Sequence, residues 1–126
     1  MDSAELNDLV TAWIASEQAE LGSPVRQTNY WAVDRVMDWS VERAGEQLWQ
    51  FILATYQRDL SPQVAATLAA GPLEDLLAHS GPEFIDRVEQ LAQQDPRFNC
   101  LLGGVWRNEM TDEVWQRVQE ARDQVW

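Results

Sequence analysis

Apolar residues recur three and four positions apart along almost the whole chain, and no segment alternates strictly between apolar and polar. That periodicity predicts an all-α protein. Leu6, Leu9, Val10, Trp13 and Ile14 fall on one helical stripe, so a first helix should run from Ser3 to about Leu21 and stop at Gly22-Ser23-Pro24. Tyr30, Val33, Val36 and Met37 mark a second helix, and Ser40 with Glu42 behind it reads as the N-cap of a third that continues to about Arg58. The third carries Leu48, Trp49, Phe51, Ile52, Leu53 and Tyr56 around much of its circumference, the pattern of a helix enclosed by others.

Beyond position 60 the chain is punctuated by Ser61-Pro62, Gly71-Pro72, Gly81-Pro82 and Asp95-Pro96. Proline at a first helical position gives up an amide that has no helical partner anyway, Ser or Asp before it caps, and Gly before it can end the preceding helix. Each pair therefore predicts a helix start with almost no loop. Phe84, Ile85, Val88, Leu91 and Ala92 share one face, as do Phe98, Leu101, Leu102, Val105 and Trp106; Thr111 caps a last helix with Val114, Trp115, Val118, Ala121 and Val125 inward. The expected architecture is a compact irregular bundle of about seven to eight short helices, with right-angled, HEAT-like local stacking but no third unit to make a repeat. One domain is expected over 1–126, divided into an N-terminal helix (1–22), a Trp-rich helix pair (28–58) and Pro-initiated helices (61–126).

Composition narrows the chemistry. Among 126 residues there are nine Arg and no Lys, one histidine (His79), one cysteine (Cys100) and 21 acids, for a formal net charge of −12. A lysine Schiff base, a His/Cys metal cluster and a paired-thiol redox site are excluded by counting, so no cofactor and no metal is expected. The arginines are scattered singly, and a sequence pI near 4.2 opposes both phosphate backbones and anionic leaflets. No nucleic acid and no membrane is expected as a partner; a basic protein would be attracted. Neither a secretory leader pattern nor a long apolar run occurs, so the expected compartment is the cytoplasm, and the arginine-only cation set fits a G·C-rich bacterial genome.

Few constellations could carry chemistry. Asp75 and His79 are spaced i, i+4 with Glu74 beside them, so a carboxylate could hold the imidazole for acid/base work, although the helix dipole alone favours acids in a first turn and a base in a last one. Gly103-Gly104 inside an apolar stripe predicts a helix break or a close backbone approach, and places Trp106, Arg107 and Asn108 at a tight joint where Arg beside Trp would suit an interface. Glu83 is a further ligand-facing candidate. Cys100, between Phe98 and Leu101, is expected to be a buried, inert thiol.

Several blocks agree in order and spacing with a known family. Ala70-Gly71-Pro72-Leu73-Glu74-Asp75-Leu76-Leu77 with His79, Gly81-Pro82-Glu83-Phe84-Ile85-Asp86-Arg87, Asp95-Pro96-Arg97-Phe98 and Leu101-Leu102-Gly103-Gly104-Val105-Trp106 make residues 61–115 resemble the bacterial domain of unknown function 6869. The resemblance implies a small bacterial helical protein and no particular activity.

The inventory points to a non-enzymatic acidic protein-binding domain, an immunity or inhibitor protein that neutralises a basic partner. The alternative is a small-molecule-binding or hydrolytic domain using carboxylates, His79 and Arg107 in a cleft. Self-association into a homo-oligomer through exposed Trp is a third reading.

Overall fold

The computed structural model describes all 126 residues, and it uses nearly every helix-start signal that the chain offers. Asp2 accepts the Glu5 amide to open α1 (Ser3–Gln18), and Ser23 accepts that of Arg26 to open α2 (Pro24–Val41). Ser61 does the same for α4 (Pro62–Leu68), Asp95 for α6 (Pro96–Leu102) and Thr111 for α7 (Asp112–Ala121). Each such cap contributes about 1 kcal/mol. Prolines 24, 62 and 96 stand in the first helical turn. The remaining helices are α3 (Gly45–Tyr56) and α5 (Glu74–Gln94), and there is no β-strand.

Two helix starts need correction and a third holds in altered form. Ser40 opens no helix, because α2 runs through it to Val41; the break comes at Arg43, in the left-handed region at φ 55°, and Ala44 precedes α3 without a side-chain cap. Gly71-Pro72 starts no helix either. Ala69–Leu73 forms a π turn that joins α4 to α5, and Pro72 fits there because a widened turn draws the preceding carbonyl away from its ring. Gly81-Pro82 does restart the helix without a loop: Ser80 leaves helical geometry (φ −134°, ψ 25°), and two helical segments meet across the kink inside α5. Pro62–Gln94 thus runs on without a loop, through the π turn and the kink at Ser80, and counted as one body with α1, α2, α3, α6 and α7 it gives six helices in place of the seven to eight expected.

Thirty buried apolar residues form a single cluster with α3 at its centre. Trp13 of α1 meets Phe51 edge to face at 5.2 Å, and Phe98 of α6 receives Trp49 at 5.9 Å and Tyr56 at 5.4 Å. Phe51 and Ile52 are wholly enclosed, as the circumferential pattern of that helix requires. α1 lies along α2, while α5 packs against α7 and α6 on the far side. No helix is long and apolar enough to cross a membrane.

Candidate functional site

The loop 103–111 between α6 and α7 is fastened to the start of α5. In that first turn the Glu74 carboxylate accepts the Trp106 amide at 2.8 Å and the Asn108 side-chain amide at 3.1 Å. Asn108 is left-handed (φ 49°), which turns its side chain back toward Glu74. The structure therefore brings Glu74, Trp106 and Asn108 together, but Glu74 is spent on holding the loop, through one backbone and one side-chain amide. Arg107 turns to Asp112, at the solvent-facing start of α7. Trp106 was expected on the inward stripe of α6; that helix ends at Leu102, and the indole is 64% exposed.

Asp75 and His79 sit one turn apart without a mutual hydrogen bond. His79 Nε2 approaches Glu109 Oε2 at 3.8 Å, and its Nδ1 is buried with no partner. The cavity they share with Ser40 and Arg43 is about 10 Å³, room for roughly one water. Burial raises the Asp75 carboxyl above the usual carboxylate range, with the Ser40 hydroxyl and His79 acting the other way. Asp75 also faces a larger groove of about 150 Å³ between α1, α2 and the π turn, which it lines with Glu17, Trp13, Met37 and Pro72. Glu17 is likewise raised by burial, against the attraction of Arg26.

Gly103-Gly104 fulfils both expectations. α6 ends at Leu102 with Gly103 as its C-cap, and Trp126 crosses the pair: its amide donates to Gly103 O at 2.9 Å and its indole Nε1 to Cys100 O at 2.8 Å. A Cβ on Gly104 would stand 2.7 Å from the Trp126 ring and 2.9 Å from Ala69 Cβ. Cys100 corrects the expectation of burial. With Phe98, Leu101 and Leu102 inward, the thiol falls on the opposite, exposed side of α6. Val125 is also exposed, since α7 stops at Ala121, and Glu83 is exposed beside the kink.

The arginines are committed unevenly. Four spend their guanidinium on neutral groups: Arg26 on Ser16 O, Arg58 on Asn7 and Thr11, Arg97 on the Arg58 carbonyl, and Arg122 on Val105 O with its plane over Trp115. Arg87, Arg107 and Arg117 pair with acids. Only Glu46, Asp86, Glu89, Glu109 and Asp112, five of the 21 acids, stand within ion-pair distance of a cation or His79.

Two features escaped the reading of the residues. One is Glu17 in the groove. The other is the outer face of α2, where Tyr30, Trp31, Asp34, Met37, Asp38 and Val41 all lie exposed. Their helical spacing was present in the sequence, out of phase with the buried Val33 and Val36, and would have shown that this helix has apolar residues on two sides.

No curated protein and no solved structure matches the chain. A family model does match it, over residues 19–126, which extends the resemblance read from 61–115 to α2, α3 and the C-terminal segment. The chain belongs to the family of unknown function DUF6869.

Proposed function

We propose that the chain is a non-enzymatic acidic domain that binds a basic protein in the bacterial cytoplasm, as an immunity or inhibitor protein does. The observation that carries this reading is the commitment of the arginines. Four of nine are consumed by neutral acceptors and three by acids, so the carboxylates that remain have almost no internal cations to answer them. Such a surface repels itself and is relieved by an oppositely charged partner, which it also steers into encounter. The same surface opposes nucleic acid and anionic lipid.

The test is affinity capture of the tagged chain from its native bacterium at low and then moderate salt, with mass spectrometry of what stays bound. One stoichiometric basic protein, released as salt screens the pair, is the expected result. Recovery of the chain alone would refute the proposal.

A further inference from the structure

The partner proposed above needs a place to land, and α2 offers one. Its inner side, Ala32, Val33, Val36 and Trp39, is buried in the core. Its outer side exposes 47% of Trp31, 54% of Met37 and 81% of Val41, with Asp34 and Asp38 set among them. An aromatic, a methionine and a valine on one exposed helix face, interleaved with acids, is the composition of a binding surface rather than of a solvated one.

The groove beside it gives that face a polar anchor. Met37 belongs to both, forming one edge of the face and part of the groove wall. The lining is apolar toward Trp13, Val36 and Pro72, acidic at Glu17 and Asp75, and carries the hydroxyls of Ser40 and Thr67. Both carboxyls are half-buried and sit above their ordinary range for that reason, so part of the desolvation that a buried ion pair requires has already been met in the folded chain. A cation on an aliphatic stem matches this arrangement, stem against Met37 and Trp13, charge between the acids.

A second copy of the chain does not match. Two α2 faces laid together would oppose Asp34 and Asp38 to their own counterparts, and each chain brings a formal charge of −12. Two cations border the site: Arg26, whose charge already acts on Glu17, lies 5.9 Å over the Tyr30 ring and is tied to Ser16 O, and Arg35 flanks Asp34.

We propose that the outer face of α2 and the groove at Met37 form one docking site for an amphipathic basic helix of the partner, its apolar side chains on Trp31 and Met37 and an Arg or Lys entering between Glu17 and Asp75. This inference rests on the basic-partner reading but is tested apart from it. The probe is a synthetic Trp-free helical peptide of Leu, Ala and Arg, titrated at low salt into the full ¹⁵N-labelled chain, with the Leu/Ala/Glu peptide as comparison. The expected result is saturable binding of the Arg peptide alone, with shifts confined to α2, residues 13–17 of α1 and residues 71–75. Trp31→Ala, Glu17→Gln and Asp75→Asn should each weaken it about tenfold, while Glu113→Gln on α7 changes it less than about twofold. Amide spectra that stay unchanged outside the site establish that each variant is folded, and Glu17→Gln carries the groove test if Asp75→Asn is not. Shifts elsewhere, or an equal loss for every carboxylate removed, would overturn the site and leave the basic-partner reading standing. Absence of any binding overturns the site as well, and the capture experiment then decides the wider reading independently.

Discussion

Replacing Gly103 with Ala should have opposite consequences depending on whether residues 124–126 are present. Gly103 has helical dihedrals (φ −62°, ψ −21°), so its backbone accepts a side chain, and in isolation Ala there gains roughly 0.5–1 kcal/mol over Gly. The new Cβ, however, would stand 2.6 Å from Gln124 O and 2.7 Å from the Trp126 ring, and the last residues must leave. Their departure is not free. Trp126 is 49% exposed, so about 125 Å² of indole is covered, worth about 3 kcal/mol at ~25 cal/mol per Å². Its two hydrogen bonds add about 1 kcal/mol each, and the ordering of three residues takes back about 1–2 kcal/mol apiece. The net hold is on the order of 1 kcal/mol. In the full chain the substitution should therefore be neutral to mildly destabilising, and in a chain ending at Asp123 it should be stabilising. The coupling, equal to that hold of about 1 kcal/mol, corresponds to several degrees in thermal midpoint for a chain of this length. Circular-dichroism melts of the four proteins measure it, and the Trp126 indole N–H should exchange faster only in the full-length Gly103→Ala chain. Equal shifts with and without the last three residues would refute the reasoning.

Three further outcomes are expected. Glu74→Ala should leave the core intact but accelerate amide exchange at Trp106, with a loss of about 1 kcal/mol from two exposed hydrogen bonds; unchanged protection would mean that the loop holds itself. Ile52→Ala, wholly enclosed on α3, should cost about 2–5 kcal/mol in denaturant unfolding, against under ~0.5 kcal/mol for the exposed Glu113→Ala. The pH profile should have two limbs. Burial raises Asp75 and Glu17, so their ionised forms burden the fold, and stability should rise as the pH falls toward their unfolded values of 3.8 and 4.5. Asp95 is lowered, first by the Tyr56 hydroxyl and then by the amides it caps, so its contribution is present above 3.8 and lost as the pH falls further. Asp75→Asn should flatten the upper limb and Asp95→Asn the lower, read from midpoints between pH 7 and 2.5.

Caps and spacing made most of the helices legible, because a Ser, Asp or Thr before a Pro or acid acts within a few residues and depends little on the rest of the fold. Asp95-Pro96 and Thr111-Asp112 are of this kind. Gly103-Gly104 was legible as a close approach for a similar reason, since two glycines where a helix former would serve imply a neighbour that needs the space. What failed was long-range or unsignalled. A left-handed arginine, not a glycine, ends the segment before α3, and residue type gives no notice of it. Pro72 was read as a helix start because proline normally breaks the ladder, whereas the π turn keeps the ladder and moves it aside. The candidate site split along the same line: Glu74, Trp106 and Asn108 were named individually, but their hydrogen bonds depend on where α5 begins. Glu17 was invisible because only the packing of α1 on α2 makes a groove of its surroundings.

The π turn also acts as a phase shifter. One extra residue in the helical count rotates everything after it by about 100°, so the apolar stripe that runs through Val64 and Leu68 resumes at Leu73, Leu76 and Leu77 instead of at Pro72, Asp75 and His79. Close Ala69–Leu73 as an ordinary α turn without changing its length and the rotation is undone: Leu76 swings out, and Asp75 and His79 swing toward the core; take one residue out instead, and an ordinary turn spans the same gap with Leu76 and Leu77 still inward. The segment between α4 and α5 is thus a stretch whose turn geometry, more than its chemistry, decides whether a carboxylate faces a groove or a hydrophobic interior.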